Sequence, residues 1–488
     1  MQTGRAKNPP LPRLCVSALS GGGGKTLLAL GLARAFTGRG LVVSPFKKGP
    51  DYIDAAWLEL AAGQPVSNLD PFFLPPWRLR ALFVHAMRAA GEDCLGLVEG
   101  NRGLYDGLDS AGSCSTAALA RALDCPVLLS VNCSKMTRTA AALVRGITAF
   151  EPGLDFCGVV FNRTGSARHA SALRRAIEEY TDLPVLGALP RLSENPLPER
   201  HMGIASWGPV LSDAAETVLE RLAALVRENV DADAVLAAAR SAPPMEKTAP
   251  FWPEEDSEIC VNSPHITTSG ALQPLPRIGY VRDSALWFYY RENLEALARE
   301  GAELTRLSLL DEAPWPEVDG LYLGGGFPED CAKALSASAH VALLRRMADR
   351  GLPIYAECGG FMLLSRGIRR GDEFWPMSGV FPVTTRFCDK PQGLGYVEGA
   401  VVAENPYFPV GVGLRGHEFH YSRCEWEGET PVCALKLTRG KGMREGMDAL
   451  AHNNVWAAYT HIFAPAAPCW ARNFVKAARR FRLEQNSA

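Results

Sequence analysis

Paired cysteines are missing from this sequence: its 13 cysteines are scattered over 488 residues, and no two of them form a CxxC motif. Neither a zinc site nor a disulfide framework is therefore indicated. Most of these cysteines are expected to be small buried hydrophobic residues. A long basic run is missing too, and the formal net charge is −2. A nucleic acid partner is thus not expected, and a small ligand is favoured.

No apolar run is long enough to span a membrane. The N-terminal stretch MQTGRAKNPPLPRL is basic and rich in proline, but it lacks the apolar core of a secretion signal. We therefore expect a cytoplasmic protein without a membrane anchor. The length suffices for two or three domains, and a composition of 47% hydrophobic and 21% charged residues is typical of soluble globular proteins.

Short apolar runs that favour β-strands alternate with amphipathic segments up to about residue 228, as in LCVSAL, LLALGLARAF and LVVSPF. This alternation is typical of βαβ units with a parallel sheet. Residues 231–275 are rich in Pro, Ser, Thr and charge without sustained periodicity, and a second alternating set begins at PRIGYV. We predict an α/β protein of two domains, 1–230 and 276–488, joined by a linker at 231–275. Each domain is expected to contain a largely parallel sheet flanked by helices.

A glycine run follows the first apolar strand, in LCVSALSGGGGKTLLALGLARAF. Consecutive backbone N–H groups and a helix N-terminus can bind phosphate oxygens there, while Lys25 adds a positive charge and Thr26 a hydroxyl for Mg²⁺. The position six residues before Lys25 is Leu19, where the standard motif has glycine. The succession of strand, glycine-rich turn, Lys-Thr and helix nevertheless predicts a nucleotide site rather than a simple turn. We assign the binding of the nucleotide to Gly22, Gly23, Gly24, Lys25 and Thr26.

Four carboxylates follow two further apolar runs: Asp51 and Asp54 in FKKGPDYIDAAW, and Glu99 and Asp106 in LVEGNRGLYDG. Residues just past the C-termini of parallel strands line the crevice beside a phosphate loop. Singly, such side chains more often cap helices or complete turns, whereas as a set beside a phosphate loop they favour metal and substrate handling. We predict that all four are catalytic and that Thr26, Asp51 and Glu99 hold Mg²⁺.

A cysteine lies where an apolar strand becomes a helix, in PIYAECGGFMLLS. Cys358 could simply fill the core, but the two glycines after it let other backbone approach, and a helix start favours the thiolate, so the pattern favours a nucleophile on a sharp turn. The glycine-rich loop in YLGGGFPED could stabilise an oxyanion, and His461 in YTHIF could act as the base. We predict Cys358 and His461 as a catalytic pair.

The second domain resembles the class I glutamine amidotransferases, in which a cysteine releases ammonia from glutamine through a glutamyl thioester. The two domains together resemble the cobyrinate a,c-diamide synthases. The motifs that carry this resemblance occur in the family's order: FKKGPDYID, SNLDPFFL, EGNRGLYDG, GVVFNR, LPERHMG, LGGGFPE, AECGGFM, LGY and RGHEFHYS.

The resemblance implies a P-loop synthetase domain followed by a glutaminase domain, and ATP- and glutamine-dependent amidation of the a and c carboxylates of cobyrinic or hydrogenobyrinic acid in cobalamin biosynthesis. The expected ligands are ATP with Mg²⁺, L-glutamine and a polycarboxylate tetrapyrrole. By position, Lys25 and Thr26 match the ATP site, and Cys358 and His461 match the glutaminase pair. The four carboxylates match the acidic residues of the synthetase site. Arg163, Arg200 and His201 are candidate contacts for the acidic substrate.

The sequence also departs from the family pattern. The phosphate loop has an extra glycine, and no acidic residue closely follows His461, so the third member of the triad is unassigned. Other positions that differ are Ala55, Leu58, Asn101, Arg102 and Phe463. Two alternatives stay open: amidation of a nickel-sirohydrochlorin-type tetrapyrrole, and an ATP-driven switch protein without amidation. The oligomeric state, with a homodimer as one option, is open as well.

Overall fold

The computed structural model describes residues 11–194, 197, 213–252, 274–426, 428 and 431–487. These residues form two compact units, the first comprising the described residues up to 252 and the second those from 274 onward. Each unit has its own sheet and its own buried core. The predicted α/β class is confirmed.

The first unit is built on a seven-stranded, wholly parallel sheet with the order β3-β2-β4-β1-β5-β6-β7. Its strands are β1 (Arg13–Ala18), β2 (Val43–Lys48), β3 (Ser67–Leu69), β4 (Leu95–Glu99), β5 (Val127–Asn132), β6 (Phe156–Thr164) and β7 (Val185–Pro190). Its helices are α1 (Lys25–Thr37), α2 (Ile53–Ala62), α3 (Pro76–Ala90), α4 (Thr116–Ala122), α5 (Arg138–Phe150), α6 (Ala167–Tyr180), α7 (Asp213–Asn229) and α8 (Ala232–Arg240).

The strand order explains why the predicted site residues of the first unit meet. Strand β1 pairs with β4 on one side and β5 on the other, so the chain order reverses beside β1, and ligands of open parallel sheets bind at such switch points. The glycine loop follows β1, the segment with Asp51 follows β2, and Glu99 ends β4. All three therefore lie at the same edge of the sheet.

Helix α8 lies inside the range 231–275 that the sequence predicts as a linker, and it packs against β1 and β7 of the first unit. Met245 and Phe251 are buried as well. Residues 253–273 lie outside the described residues, and the division into 1–230, 231–275 and 276–488 stays a prediction.

The second unit contains a ten-stranded sheet with the order β10-β8-β11-β13-β22-β21-β20-β17-β18-β23. These strands are β8 (Arg277–Val281), β10 (Glu303–Leu307), β11 (Gly320–Leu323), β13 (Ile354–Glu357), β17 (Gly393–Val401), β18 (Gly413–His420), β20 (Cys433–Arg439), β21 (Met447–His452), β22 (Val455–Ala458) and β23 (His461–Ile462). The sheet is parallel from β10 to β22 and antiparallel from β22 to β23. The antiparallel half is a feature that the alternating sequence pattern does not indicate.

Two small sheets and five helices complete the described part of the second unit. The small sheets consist of β9 (Leu286–Phe288) with β12 (Gly325–Gly326), and of β14 (Gly367–Arg370), β15 (Glu373–Pro376), β16 (Val383–Phe387) and β19 (Ser422–Trp426). The helices are α9 (Arg291–Arg299), α10 (Ala332–Ala337), α11 (Ala339–Asp349), α12 (Gly359–Leu364) and α13 (Pro468–Ser487). No helix in the described ranges is both long enough and apolar enough to cross a membrane.

Candidate functional site

The glycine loop of the first unit is fixed against the ends of β5 and β6. The carbonyl of Gly23 accepts hydrogen bonds from Ser130 Oγ at 2.8 Å and from Asn162 Nδ2 at 3.2 Å. Gly24 has a φ of 88°, and a Cβ at this position would stand 1.8 Å from Asn162 Nδ2. Only glycine fits there, so the loop delivers Lys25 and Thr26 to the start of α1 in one fixed conformation.

A pocket of about 850 Å³ opens beside this loop. Its size suits a small-molecule ligand. The polar and charged residues that line it include Lys25, Thr26, Asp54, Asn162, Arg163 and Arg191. The walls come from the loop and from the segments that follow β5, β6 and β7, so the pocket lies where the sheet topology predicts a ligand. Arg200 and His201 lie outside the described residues.

Three of the four predicted carboxylates converge on one lysine. The Lys47 ammonium lies 2.7 Å from Asp54 Oδ2, 3.1 Å from Glu99 Oε1 and 3.8 Å from Asp51 Oδ2. The Thr26 hydroxyl donates to Glu99 Oε1 and lies 3.4 Å from Asp54 Oδ2. The structure thus brings the predicted metal residues together around Lys47, a wholly buried residue to which the sequence analysis assigned no role.

Burial and mutual repulsion shape the protonation of this group, which we call the Lys47 cluster (Thr26, Lys47, Asp51, Asp54 and Glu99). Burial raises the pKa of Glu99 to about 7, with Lys47 opposing the shift and Asp54 adding to it. Burial and the neighbouring Asp54 raise the pKa of Asp51 to about 6. Burial also disfavours the ionised form of Asp54, but the Lys47 ammonium outweighs it and lowers the pKa of Asp54. The nearby lysines therefore do not keep all three carboxylates fully ionised, and a bound cation would favour their ionised forms.

The residues of the Lys47 cluster fit a magnesium ion that is shared with phosphates. Glu99 Oε2 is buried and has no hydrogen-bond partner among the described residues. Within the same residues, no three His, Cys, Asp or Glu side chains form a metal site on their own. Mg²⁺ usually takes one or two carboxylates and completes its shell with water and substrate phosphates. A hydroxyl and two carboxylates beside a phosphate loop match that requirement.

Asp106 is not brought into this group. Its Oδ2 accepts a hydrogen bond from the Gly103 N–H at 2.8 Å, three residues earlier in the same loop, and its side chain is exposed. No contact joins it to Lys47 or Thr26 within the described residues. The observed contact completes a turn, and the catalytic role predicted for Asp106 stays a prediction.

In the second unit, Cys358 occupies the sharp turn between β13 and α12. Its backbone has a φ of 47° and a ψ of −100°, a conformation that residues other than glycine rarely adopt. The Cys358 N–H donates to the Ala458 carbonyl at 2.7 Å, and its Sγ lies 3.6 Å from the Phe419 carbonyl oxygen. A Cβ on Gly359 would stand 3.1 Å from the backbone nitrogen of Gly326. The glycines after Cys358 therefore let the glycine-rich loop that contains β12 approach the turn at Cys358.

Cys358 is nevertheless a thiol in the resting protein. Burial raises the pKa of Cys358 well above that of an ordinary thiol, and the nearby Glu329 carboxylate adds to this shift. The sequence argument that the start of a helix favours the thiolate is wrong here, because the loss of water around the sulfur outweighs the short helix α12. A thiolate can form only if a base accepts the proton.

His461 lies on β23 and contacts the glycine-rich loop. A Cβ on Gly325 would stand 2.4 Å from His461 Cε1. The imidazole stacks on His417 of the neighbouring strand β18, with ring centroids 4.6 Å apart and planes at 13°, and meets Phe288 edge-on at 5.2 Å. Cys358 and His461 therefore border the same loop from two sides, although one follows a central strand and the other lies on the sheet's edge.

Glu357 is the second functional candidate that the sequence analysis missed. Its Oε2 lies 3.7 Å from His461 Nδ1. The carboxylate accepts hydrogen bonds from Tyr322 Oη at 2.9 Å, from Tyr355 Oη at 3.2 Å and from the Ile462 N–H at 3.0 Å. The available signal was a glutamate directly before the nucleophile at the end of a buried strand.

Each of the two units matches a known protein family. Residues 14–204 match the CobQ/CobB/MinD/ParA nucleotide binding domain, and residues 277–468 match the CobB/CobQ-like glutamine amidotransferase domain. The chain is similar to a cobyrinate a,c-diamide synthase of Magnetococcus marinus, with 40% identity over 94% of this chain and 96% of the relative. Proteins of the same name from Dehalococcoides mccartyi and Methanosarcina barkeri are 38% and 34% identical, over 96% and 97% of this chain and 99% and 97% of their own. The resemblance predicted from the sequence is confirmed.

Proposed function

Because the chain belongs to the cobyrinate a,c-diamide synthase family, and is therefore a glutamine-dependent amidating ligase of cobalamin biosynthesis, we propose that it activates two tetrapyrrole carboxylates with ATP. The substrate is cobyrinic or hydrogenobyrinic acid, and the products are the a,c-diamide, ADP, phosphate and glutamate. The observation that carries the proposal is the Lys47 cluster beside the phosphate loop. In this cluster, Thr26 of the phosphate loop lies beside the carboxylates of Asp54 and Glu99 and the ammonium of Lys47. Groups that can bind phosphate are therefore next to charged groups that can act on a carboxylate substrate.

The synthetase half activates the carboxylate, since a free carboxylate resists attack by ammonia. A substrate carboxylate oxygen attacks the γ-phosphorus of ATP, the bond to the β-phosphate oxygen breaks, and ADP leaves. Ammonia then attacks the carbonyl carbon of the acyl phosphate, the C–O bond to the phosphoryl group breaks, and the nitrogen loses a proton to give the amide. Two such rounds amidate the a and c positions.

The chain's own residues supply binding and charge in this step. Lys25 and the loop N–H groups bind the phosphates, and Lys47 holds Asp54 and Glu99 in place. Thr26, Glu99 and Asp54 or Asp51 would hold Mg²⁺, which would supply positive charge to the phosphates. Burial and the neighbouring Lys47 lower the pKa of Lys25, although the carboxylates oppose this shift. A polyanionic ligand beside Lys25 would oppose this shift and favour the ammonium form.

The glutaminase half supplies the ammonia. His461 takes the proton from Cys358 Sγ as the sulfur attacks the side-chain amide carbon of glutamine, and the backbone of the glycine-rich loop stabilises the oxyanion. The proton passes to the amide nitrogen, the C–N bond breaks, and ammonia leaves behind a glutamyl thioester. Water then hydrolyses the thioester to glutamate and restores the thiol.

The test is direct amidation of defined substrates. The full-length chain is incubated with ATP, Mg²⁺, glutamine and either cobyrinic acid, hydrogenobyrinic acid or nickel-sirohydrochlorin, and the products are identified by mass. Diamide formation from one of the first two that requires ATP and glutamine supports the proposal. Exclusive turnover of nickel-sirohydrochlorin would favour that alternative. ATP hydrolysis at a rate independent of tetrapyrrole and glutamine would favour a switch protein.

A further inference from the structure

We propose that Glu357 is the positioning residue of the glutaminase site, which fixes the His461 imidazole and stabilises it while it carries the proton of Cys358. The proposal rests on the glutaminase role proposed above for Cys358 and His461. It fills the place for which the residues that closely follow His461 provide no carboxylate.

Glu357 lies just beyond hydrogen-bond distance of His461, close enough for its charge to act on the ring. Its Oε2 lies 3.7 Å from His461 Nδ1. A histidine that accepts a nucleophile's proton on one ring nitrogen is oriented through the other nitrogen. Both side chains are buried, with exposures of 2% and 0%. In the low dielectric of a buried site, a carboxylate at this distance has a strong effect on the charge of the imidazole.

The carboxylate is itself held rigidly. Tyr322 Oη donates to Oε2 at 2.9 Å, and Tyr355 Oη donates to Oε1 at 3.2 Å. The Ile462 N–H donates to Oε1 as well, at 3.0 Å. Glu357 therefore fixes the backbone next to His461 in addition to facing its ring.

A second set of hydrogen bonds supports the same segment. Asn293 Nδ2 donates to Tyr322 Oη at 3.2 Å and to the Ile462 carbonyl at 3.0 Å. The Ala464 N–H donates to Asn293 Oδ1 at 2.7 Å. Glu357 thus binds the N–H of Ile462, next to His461, and Asn293 binds the carbonyl of the same residue. Both side chains also form a hydrogen bond with the Tyr322 hydroxyl.

Among the contacts of His461 given above, the one with Glu357 contributes negative charge. Phe288 and His417 pack on the ring, and the sulfur of Cys358 starts as a neutral thiol. Burial and the proximity of His461 lower the pKa of His417 well below its usual range, so His417 is neutral. Proton transfer from a buried thiol to a buried imidazole creates a cation, and a nearby carboxylate reduces the free energy of that state.

A purely structural role is the competing explanation, because Glu357 also satisfies two tyrosine hydroxyls and one backbone N–H. A positioning role requires the negative charge of Glu357, whereas a purely structural role requires only its hydrogen-bond acceptors. Glu357→Gln keeps the size of the side chain and an acceptor for Ile462 but removes the charge. Asp283→Asn is the matched control, since Asp283 is a buried carboxylate of the same unit that accepts backbone N–H groups from Ala285, Leu286 and Leu309.

The experiment uses the full-length chain and compares two nitrogen sources. In Glu357→Gln we expect kcat with glutamine to fall at least about 10-fold and by up to about 10⁴-fold, the loss known when the carboxylate behind a catalytic histidine becomes an amide, with little change in KM for glutamine. Turnover with ammonium salt should stay near that of the wild type, and Asp283→Asn should keep both rates. Equal losses with both nitrogen sources, or unchanged glutamine turnover, would overturn the proposal.

A second measurement needs neither ATP nor tetrapyrrole. The glutamine analogue 6-diazo-5-oxo-L-norleucine alkylates an attacking cysteine, and the rate at which it labels Cys358 can be followed by peptide mass. Slower labelling in Glu357→Gln supports the positioning role even if the tetrapyrrole proves to be a different one. Labelling at the wild-type rate contradicts it, whereas an unlabelled wild-type chain would contradict the glutaminase role itself.

The two tyrosines provide a matched pair in case Glu357→Gln fails to fold. Tyr322→Phe releases Oε2, the oxygen that faces His461, whereas Tyr355→Phe releases Oε1. Both variants remove one buried hydroxyl from the same carboxylate and keep its charge, and Tyr322→Phe also removes an acceptor of Asn293 Nδ2, which keeps its bond to the Ile462 carbonyl. We expect the ratio of glutamine-dependent to ammonia-dependent turnover to fall more in Tyr322→Phe than in Tyr355→Phe, and an equal ratio in both would overturn the proposal.

Discussion

The imidazole of His461 rests directly on the backbone of Gly325. A Cβ on Gly325 would stand 2.4 Å from His461 Cε1 and 3.3 Å from its Nδ1. Real Cβ atoms do not approach their neighbours to the shorter distance, so the proposed base and the loop proposed to stabilise the oxyanion are in close steric contact. The position of His461 therefore depends on the absence of a side chain at residue 325.

Gly325→Ala should accordingly displace the imidazole and reduce glutamine-dependent amidation at least about tenfold, since small displacements of a catalytic group lower rates strongly. Amidation with ammonium salt should persist, because the synthetase site lies in the other unit. Gly413→Ala is the control, since a Cβ there would meet only the Gly399 carbonyl oxygen, at 3.9 Å. Steady-state rates with both nitrogen sources check this, and a normal glutamine rate in Gly325→Ala would contradict it.

Cys358→Ala should separate the two activities completely. Glutamine-dependent amidation should vanish because alanine cannot form the thioester, while amidation with ammonium salt at alkaline pH should survive. His461→Ala should show the same separation, since the thiol then lacks its base. Product formation with each nitrogen source is measured side by side. If Cys358 only fills the core, Cys358→Ala would destabilise the second unit and leave both nitrogen sources equally effective.

Lys25→Ala should abolish amidation with either nitrogen source, with a loss of about 100-fold or more, because the side chain stabilises phosphate charge during transfer. The fold should be retained, and the analogue 6-diazo-5-oxo-L-norleucine should still label Cys358. Lys135→Ala, at an exposed lysine of the same pocket, controls for a general loss of positive charge. Thermal unfolding and amidation rates are the measurements, and full activity of Lys25→Ala would refute the nucleotide site.

Substitutions within the Lys47 cluster should divide into two kinds. Asp51→Asn and Glu99→Gln should lower turnover far more than stability, because a neutral amide replaces a carboxylate that burial already disfavours. Lys47→Met should lower both, because it leaves several buried carboxylates unpaired, a change that costs about 3–5 kcal/mol for a single broken buried pair. Denaturant unfolding and amidation assays on the three variants check the division. A stable Lys47→Met, or strongly destabilised Asp51→Asn with normal specific activity, would contradict it.

Glu329 should make the second unit less stable as the pH rises. Burial, reinforced by Asp330, raises the pKa of Glu329 to about 7, whereas a glutamate in an unfolded chain titrates near about 4.3. The folded state therefore binds the proton more tightly between these values, and the free energy of unfolding falls as pH rises through that window. Glu329→Gln should lack this fall, and Glu373→Gln, at an exposed position, should keep it. Unfolding curves from pH 4 to 8 measure the difference, and parallel curves for the wild type and Glu329→Gln would refute the assignment.

Local motifs made much of this protein predictable from its sequence. The glycine loop with Lys25 and Thr26, and the cysteine turn with its two glycines, each consist of consecutive residues whose backbone and side chains act together. The alternation of apolar runs likewise predicts the parallel sheets, because each βαβ unit is local in sequence. The meeting of Asp51 and Glu99 followed from sheet topology alone.

The residues that escaped prediction depend on contacts between distant segments. Lys47 is one of two adjacent lysines, and its burial becomes tolerable only because carboxylates after β2 and at the end of β4 surround it. Glu357 meets Ile462, 105 positions further along the chain, through the pairing of β13 and β22. For Asp106 the error has the opposite sign. Its motif predicted that it lies with the other three carboxylates, but its side chain accepts a hydrogen bond from the backbone of its own loop.

The backbone of Cys358 has a consequence for how the chain balances folding against activity. A cysteine held at a φ of 47° and a ψ of −100° stores about 1–3 kcal/mol of strain that glycine at the same position would largely avoid. The residue that serves the reaction is therefore not the residue that would make the turn most stable. Glycine at position 358 would relieve this strain but remove the thiol, so the turn keeps a strained backbone that the reaction requires and the fold alone does not.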